Sequence, residues 1–410
     1  MDVSRREFIG MVSAAAAASG MACSGQSGTY DIGPTPPGDD PLGVRKDFPV
    51  TYEINYLNSP YITPSPTPAV EAAKDFLDRK ARDPVMLGDM LKVETEVRQK
   101  FGRLVGASES EIGILSTTSE GENVVTDSID WKRGDNVVVD DLHYDTTYVL
   151  YHHLAKKHGI DVRVVHNEAG AAPPEAFEKL VNNRTRLVSV SWVSHQNGYC
   201  HDLKALADIA HAKNALLYVD AIQGTGVLTL DAKASGVDCF AAGNYKWLLG
   251  GFGAAVFYVS ESVMDRIQPD RAGWRNVVDE KAEDIEFHPD ARKFGYATPA
   301  FGPLYQLRGG LDYLLDLGVE KIERHCVALA HSLHHGLTGQ GFKVRTPAGN
   351  RSPIVAFEHG TDPEMAKKAL ANAKIRVSFR EGDTQIRVGA ALFTNQQEVD
   401  AFLAVTGSWG

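Results

Sequence analysis

Cysteine is scarce in this 410-residue chain, which holds only Cys23, Cys200, Cys239 and Cys326. No two of them stand in a C-x-x-C spacing, so neither a thiolate zinc site nor a disulfide framework is indicated. Cys239 lies in an apolar run and is expected as a small core residue, while a pairing between any two others stays open. Basic residues are outnumbered, 42 Lys and Arg against 53 Asp and Glu, for a formal charge of -11. With no clustered basic stretch to neutralise phosphates, nucleic-acid binding is excluded. There is no apolar run long enough to span a bilayer and no internal repeat. The histidine pairs His152-His153 and His334-His335 point about 100° apart on a helix, so neither is suited to chelate one ion and no metal site is expected. What is present, 43% hydrophobic and 23% charged residues, is an ordinary soluble globular composition. The length suits a large domain plus a smaller one, and small-molecule chemistry is the default.

The N-terminus stands apart. "MDVSRREFIGMVSAAAAASGMACSG" places Arg5 and Arg6 before a short Ala-rich apolar run, the pattern of a twin-arginine export signal over residues 1–23. Such a signal implies passage through the twin-arginine (Tat) machinery to the periplasm, with cleavage near Ala22 or membrane anchoring through Cys23 left open. Residues 24–44, rich in Gly, Pro, Ser and Asp, read as a flexible tether.

Beyond the tether, short apolar runs alternate with helix-length segments. The runs are "IGILS" at 112–116, "NVVVDD" at 136–141, "VRVVH" at 162–166, "RLVSVSWVS" at 186–194, "ALLYVD" at 215–220, "CFAAG" at 239–243 and "AAVFYV" at 254–259. Runs without strict alternation belong to strands buried on both faces, so an α/β architecture with a mostly parallel seven-stranded sheet is expected over 45–302. In such sheets ligands sit beyond the carboxyl ends of the strands. From residue 303 a long helical stretch, then "FKVRT", "IVAFE", "IRVSF", "QIRVG" and "NQQEVDAFLAV", indicate a smaller α+β domain over 303–410.

Two strand ends carry chemistry. "ALLYVDAIQGTG" ends an apolar strand on Asp220, an acid that needs a cationic partner. Twenty-six residues on, "NYKWLLGGFG" sets Lys246 inside an apolar run. A desolvated lysine has a lowered pKa and a nucleophilic amine that can form a Schiff base with an aldehyde. A lysine that holds an aldehyde and an acid that keeps a pyridine nitrogen protonated are what pyridoxal phosphate requires. Gly251 and Gly253 follow the lysine and lead into a strand, the wrong context for a dinucleotide fingerprint.

With these motifs the sequence resembles the class V aminotransferase superfamily, pyridoxal-phosphate enzymes of fold type I, and most of all its branch near isopenicillin N epimerase and the cysteine desulfurases. The resemblance rests on "YLNSPYITPSP", "TTSEGENVV" at 117–125, "YVDAIQGTG", "NYKWLLG", "YATPAF" at 296–301 and "IRVGAALFTNQQEVDAFL", in the family's order. It implies that Lys246 holds the cofactor covalently, that Asp220 pairs with the ring nitrogen, and that Gln223 reaches the phenolic oxygen. It further implies that Thr118 and Ser119 bind the phosphate at a helix N-terminus, and that Thr298 reaches the phosphate in the neighbouring subunit of a homodimer. Tyr144 or its neighbour His143 would stack on the ring; the first fits the epimerase-like branch, the second the desulfurases. His195 stands where the family often has an Asn beside the phenolic oxygen, and Tyr245 where a phosphate contact is often found. Arg387 would clamp the substrate carboxylate, with Arg380 as its backup and Asn58 on the substrate side.

The desulfurase pattern is broken in two places. Gly243 and Tyr245 replace a serine and a histidine just before the lysine, and residues 327–410 hold no cysteine for a persulfide. Cysteine desulfurase is therefore disfavoured against transamination, epimerisation or β/γ-elimination of an amino acid. Outside this class, the rivals are a catalytically silent cofactor-binding module and a nicotinamide-dependent oxidoreductase. Export points to a peptide-borne or envelope amino acid as substrate.

Overall fold

The structure is a computed structural model that describes residues 38–83 and 86–409. Residues 1–37, which include the stretch read from sequence as an export signal and most of the expected tether, lie outside the described residues. The compact unit is Pro36–Gly410.

Its first elements are β1 (Asn55–Tyr56), α1 (Thr67–Arg82) and α2 (Leu87–Val105). The large sheet follows with β2 (Ile112–Leu115), then α3 (Thr118–Asp127), β3 (Asn136–Asp140), α4 (Asp145–His158), β4 (Asp161–Val165), α5 (Pro174–Glu178) and β5 (Thr185–Ser191). It is completed by α6 (Leu203–His211), β6 (Leu216–Asp220), α7 (Ala232–Ser235), β7 (Cys239–Gly243) and β8 (Ala255–Val259). All seven apolar runs picked from the sequence are strands of this sheet, in the order β2-β8-β7-β6-β5-β3-β4. Only β8 runs antiparallel to its neighbours.

The missing alternation has a simple cause. Along β6, Leu217 and Val219 enter the core on one face while Leu216 and Tyr218 enter the core on the other. In β7, Phe240 and Ala242 are divided from Cys239 and Ala241 in the same way. Each buried Leu, Val or Phe contributes roughly 1.5–3 kcal/mol, so neither face can be given up to polar residues.

The C-terminal region contains α8 (Phe301–Leu317), α9 (Val319–Gly339), β9 (Lys343–Val344), β10 (Ile354–Glu358), α10 (Pro363–Asn372), β11 (Ile375–Arg376), β12 (Ser378–Arg380), β13 (Gln385–Gly389) and α11 (Gln396–Thr406). The long helical stretch expected here is two helices, because Gly318 adopts φ +86° and turns the chain between α8 and α9. "IRVSF" divides as well: β11 pairs with β1, while β12 joins the antiparallel sheet β12-β13-β10-β9. One face of that sheet packs Val355, Phe357, Ile386 and Val388 against Leu333 and Phe402. The opposite face therefore carries the residues between them, Arg387 included.

Helix α3 sits close on the large sheet because residue 121 is glycine: a Cβ there would lie 2.7 Å from the Ala241 Cβ and 3.1 Å from the Phe257 ring. Gly121→Val is expected to push α3 off β7 and to destabilise the fold by about 1–3 kcal/mol through overpacking. Denaturant unfolding checks the first effect. A parallel loss of pyridoxal-phosphate affinity in equilibrium dialysis checks that the helix N-terminus has moved.

Candidate active site

The ends of β5, β6 and β7, the start of β8 and the N-terminus of α3 enclose a cavity of about 280 Å³. Lys246 lies on its wall, in the turn between β7 and β8. The apolar neighbours of the lysine are its anchors: Trp247, Leu248 and Leu249 are buried in the core. The indole N–H of Trp247 donates to Gln223 Oε1 at 3.0 Å. The turn is closed by bonds from Leu249 N–H to Lys246 O and from Gly250 N–H to Asn244 O, with Leu249 in the left-handed region at φ +62°. Burial pulls the Lys246 amine down to about 8, although the charge of Asp220 opposes the shift.

Asp220 ends β6 and lines the same cavity. Burial raises its pKa, against the pull of His143 and of the Ile222 N–H that donates to its Oδ1 at 3.0 Å. A buried acid pushed upward in this way stays ionised most readily beside a cation.

Behind Asp220 is a layer that the sequence did not reveal. His143 is fully buried and lies outside the cavity lining. Its Nδ1 accepts the Tyr144 backbone N–H at 2.7 Å, so the ring proton is on Nε2, which donates to Ser189 Oγ at 3.0 Å. Ser189 donates in turn to Glu122 Oε1 at 2.6 Å, and Glu122 also accepts from Tyr151 and Thr147. Of the two neighbours offered as ring-stacking partners, Tyr144 lines the cavity, whereas His143 is buried outside its lining. Glu122 gave no sequence signal, because one acid in a helix ordinarily faces solvent.

The opposite end of the cavity is the start of α3, capped by Thr117, whose side chain accepts the Glu120 N–H. Thr118 and Ser119 both line the cavity, and Thr118 Oγ1 accepts the Gly243 N–H at 2.8 Å. A Cβ at Gly243 would lie 3.0–3.2 Å from Ile222, Thr118 and Tyr245, which explains a glycine at this position. Gln223 lines the wall and donates one amide hydrogen to Pro60 O at 2.8 Å, leaving the other free. Tyr245 lines it too, stacked on Phe252 at 4.4 Å between ring centroids. Thr298 does not reach this cavity; it is exposed in an adjoining recess that shares Ser116, Gly253 and Ala254 with it.

On the substrate side, His195 lines the cavity and its ring meets Tyr144 edge-on at 5.2 Å. Burial, then Arg380 and Arg387, hold its pKa well below the usual imidazole range, and neither ring nitrogen has a hydrogen-bond partner among the described residues. Arg387 is buried and donates to the His195 carbonyl oxygen. Asn58 does not reach the cavity; its side-chain oxygen accepts from Ser378 Oγ, which lies 3.4 Å from Arg387 Nη2.

The class V aminotransferase family model matches residues 55–402, and the chain belongs to this family. A probable cysteine desulfurase of Methanothermobacter thermautotrophicus is 30% identical over 336 residues, 80% of this chain and 84% of that protein. The Bacillus subtilis uncharacterised aminotransferase YcbU is 27% identical over 361 residues, 88% of this chain and 95% of its own. In fold, the chain is similar to the apo cysteine desulfurase of Thermococcus onnurineus, with a TM-score of 0.82 at 24% identity, covering 91% of this chain and 99% of that one.

The cofactor is pyridoxal 5'-phosphate, and the residues present fit it. Lys246 offers a depressed amine and Asp220 a buried acid short of a cation. The start of α3 offers free N–H groups and hydroxyls for a phosphate, and His195 offers unpartnered ring nitrogens. In protein freed of cofactor, the rate at which Lys246 captures an aldehyde probe is expected to rise through about pH 8 rather than near 10.5, because burial disfavours the ammonium and the free amine appears at lower pH. Stopped-flow absorbance against pH measures this, and a midpoint near 10 would contradict it.

Proposed function

We propose that this chain is an exported enzyme that acts at the amino group and α-carbon of an amino acid, free or peptide-borne, as aminotransferases and epimerases of its family do. The observation that carries the reading is Lys246: a buried amine, depressed to about 8, on one cavity wall with Asp220. Bound pyridoxal phosphate supplies the electron sink for the bond broken at the α-carbon. Lys246 would hold the cofactor, and its neutral Nζ would serve as the base that takes the substrate's α-proton and can return it. Asp220 would provide the negative charge that keeps a proton on the ring nitrogen. The N–H groups of Thr118 and Ser119 would hold the phosphate, and Gln223 and His195 would address the phenolic oxygen. Arg387 orients the substrate through its carboxylate, and Tyr144 supplies a face for the ring. A homodimer in which Thr298 serves the neighbouring site, and periplasmic export through Arg5 and Arg6, complete the reading.

A second reading, elimination at the β- or γ-carbon with C–S cleavage, is favoured by the relative named as a probable cysteine desulfurase. A persulfide route is not, since the thiols of Cys200 and Cys326 are both pushed up by burial and no cysteine follows residue 326. Elimination needs no protein thiol.

Borohydride reduction of the purified protein should abolish its visible absorbance and fix the cofactor on a Lys246 peptide in mass spectrometry; protein purified folded and colourless would end the proposal. Lys246→Ala is expected to lower turnover by about 10²–10⁴-fold or more. Incubation with amino acids and keto acids, scored for amine transfer, racemisation and ammonia or sulfide release, separates the reactions. For export, replacing Arg5 and Arg6 together by lysine should retain the protein in the cytoplasm on cell fractionation.

A further inference from the structure

Buried arginines elsewhere in the described residues are matched by acids: Arg45 pairs with Glu398 at 2.9 Å, and Arg98 and Arg275 pair with Glu94. Arg387 and Arg380 are the exception. In the antiparallel pair β12–β13, Ser378 stands opposite Arg387 and Arg380 opposite Gln385, so both arginines project from one face. Their Cβ atoms are diagonal neighbours, about 7–8 Å apart or less. It is the face turned away from the apolar core, because Phe379 and Ile386 pair on the other side. Neither arginine is part of the cavity lining itself, but Arg387 adjoins it, since its guanidinium donates to the carbonyl of His195, a lining residue.

Neither arginine meets a carboxylate. Among the described residues Arg380 makes no hydrogen bond or ion pair through its side chain, and Arg387 Nε is buried without a partner. The charged neighbour that Arg387 feels is Arg380, and burial with that like charge pulls it below the ordinary guanidinium range. Both arginines also disfavour protonation of Lys246 and His195, so their charge reaches the reaction centre. Two cations side by side repel, and in a chain of net charge -11 acids to pair with them are plentiful. Their depths differ: Arg387 is 2% exposed, whereas Arg380 is only partly buried. One α-carboxylate satisfies the deep guanidinium, and the shallower one remains unmatched.

We propose that the substrate is an acidic amino acid, whose α-carboxylate lies at Arg387 and whose side-chain anion, a carboxylate or a sulfur oxyacid, lies at Arg380. This rests on the amino-acid-processing reading above and assigns its substrate class.

The test uses amine-free anions, whose binding needs no reaction at the cofactor. Glutarate and butyrate are titrated into wild type, Arg380→Gln and Arg380→Lys by calorimetry. Glutarate is expected to bind wild type at least about tenfold tighter than butyrate, the worth of one charge-assisted contact. Arg380→Gln should abolish that preference while leaving butyrate binding unchanged, and Arg380→Lys should restore part of it. Equal binding of the two anions, no measurable glutarate binding, or equal weakening of both in Arg380→Gln would overturn the proposal; the last would place both arginines on one carboxylate. On holoenzyme, spectral titration with L-glutamate, L-cysteine sulfinate and L-2-aminobutyrate then separates carboxylate from sulfur oxyacid, with the neutral amino acid expected to bind weakest. A protein that lacks cofactor yet prefers glutarate would defeat the catalytic reading and leave the two-anion subsite standing.

Discussion

The site depends on burying one amine and one carboxylate around the same cavity. Asp220 pairs in register with Ala241 across β6 and β7, and Lys246 follows the end of β7 within three residues, so strand pairing itself sets the two groups on neighbouring walls. Neither is comfortable there: burial drives the amine toward neutrality and the acid toward protonation. The fold bears that unfavourable desolvation through the anchors of the lysine turn and the strands buried on both faces. A cofactor with an aldehyde at one position and a basic nitrogen at another relieves both groups at once, which is why the empty-handed pair reads as chemistry rather than as structure.

Around this pair the polar layers are arranged by depth. Glu122, Ser189 and His143 form a buried hydrogen-bonded chain, with the Tyr144 N–H donating to His143 Nδ1 at its end. On the other side the arginines of the four-stranded sheet approach through His195, whose imidazole is held neutral between them and Lys246. The start of α3 and the imidazole of His195 thus border one cavity, with the two arginines lying beyond its lining.

Family membership and reaction come apart in this chain. The relatives include proteins named cysteine desulfurase and aminotransferase, so the family carries more than one named activity. Gly243 has little room for a side chain beside Thr118, Ile222 and Tyr245, and the cysteines at 239 and 326 are core residues rather than mobile nucleophiles.

The seven strands, Lys246 and Asp220 were legible in the sequence because each depends on a local pattern: unbroken apolar runs need two covered faces, and a charged residue inside such a run needs a partner. Tertiary structure alone decided what depends on approach between distant segments. His143 and Tyr144 are adjacent in the chain, but only the start of α4, with Glu122 and Ser189 waiting behind it, turns one into the wall and leaves the other on the cavity. Glu122 looks like any helical acid until three hydroxyls converge on it, and Asn58 acts only through Ser378. The same holds for Arg380 and Arg387: their spacing says nothing of shared orientation until the register of β12 and β13 puts them on one face. Hydrophobic periodicity fixes which residues are buried, whereas the direction of a polar side chain is settled by partners that only folding brings within about 3 Å.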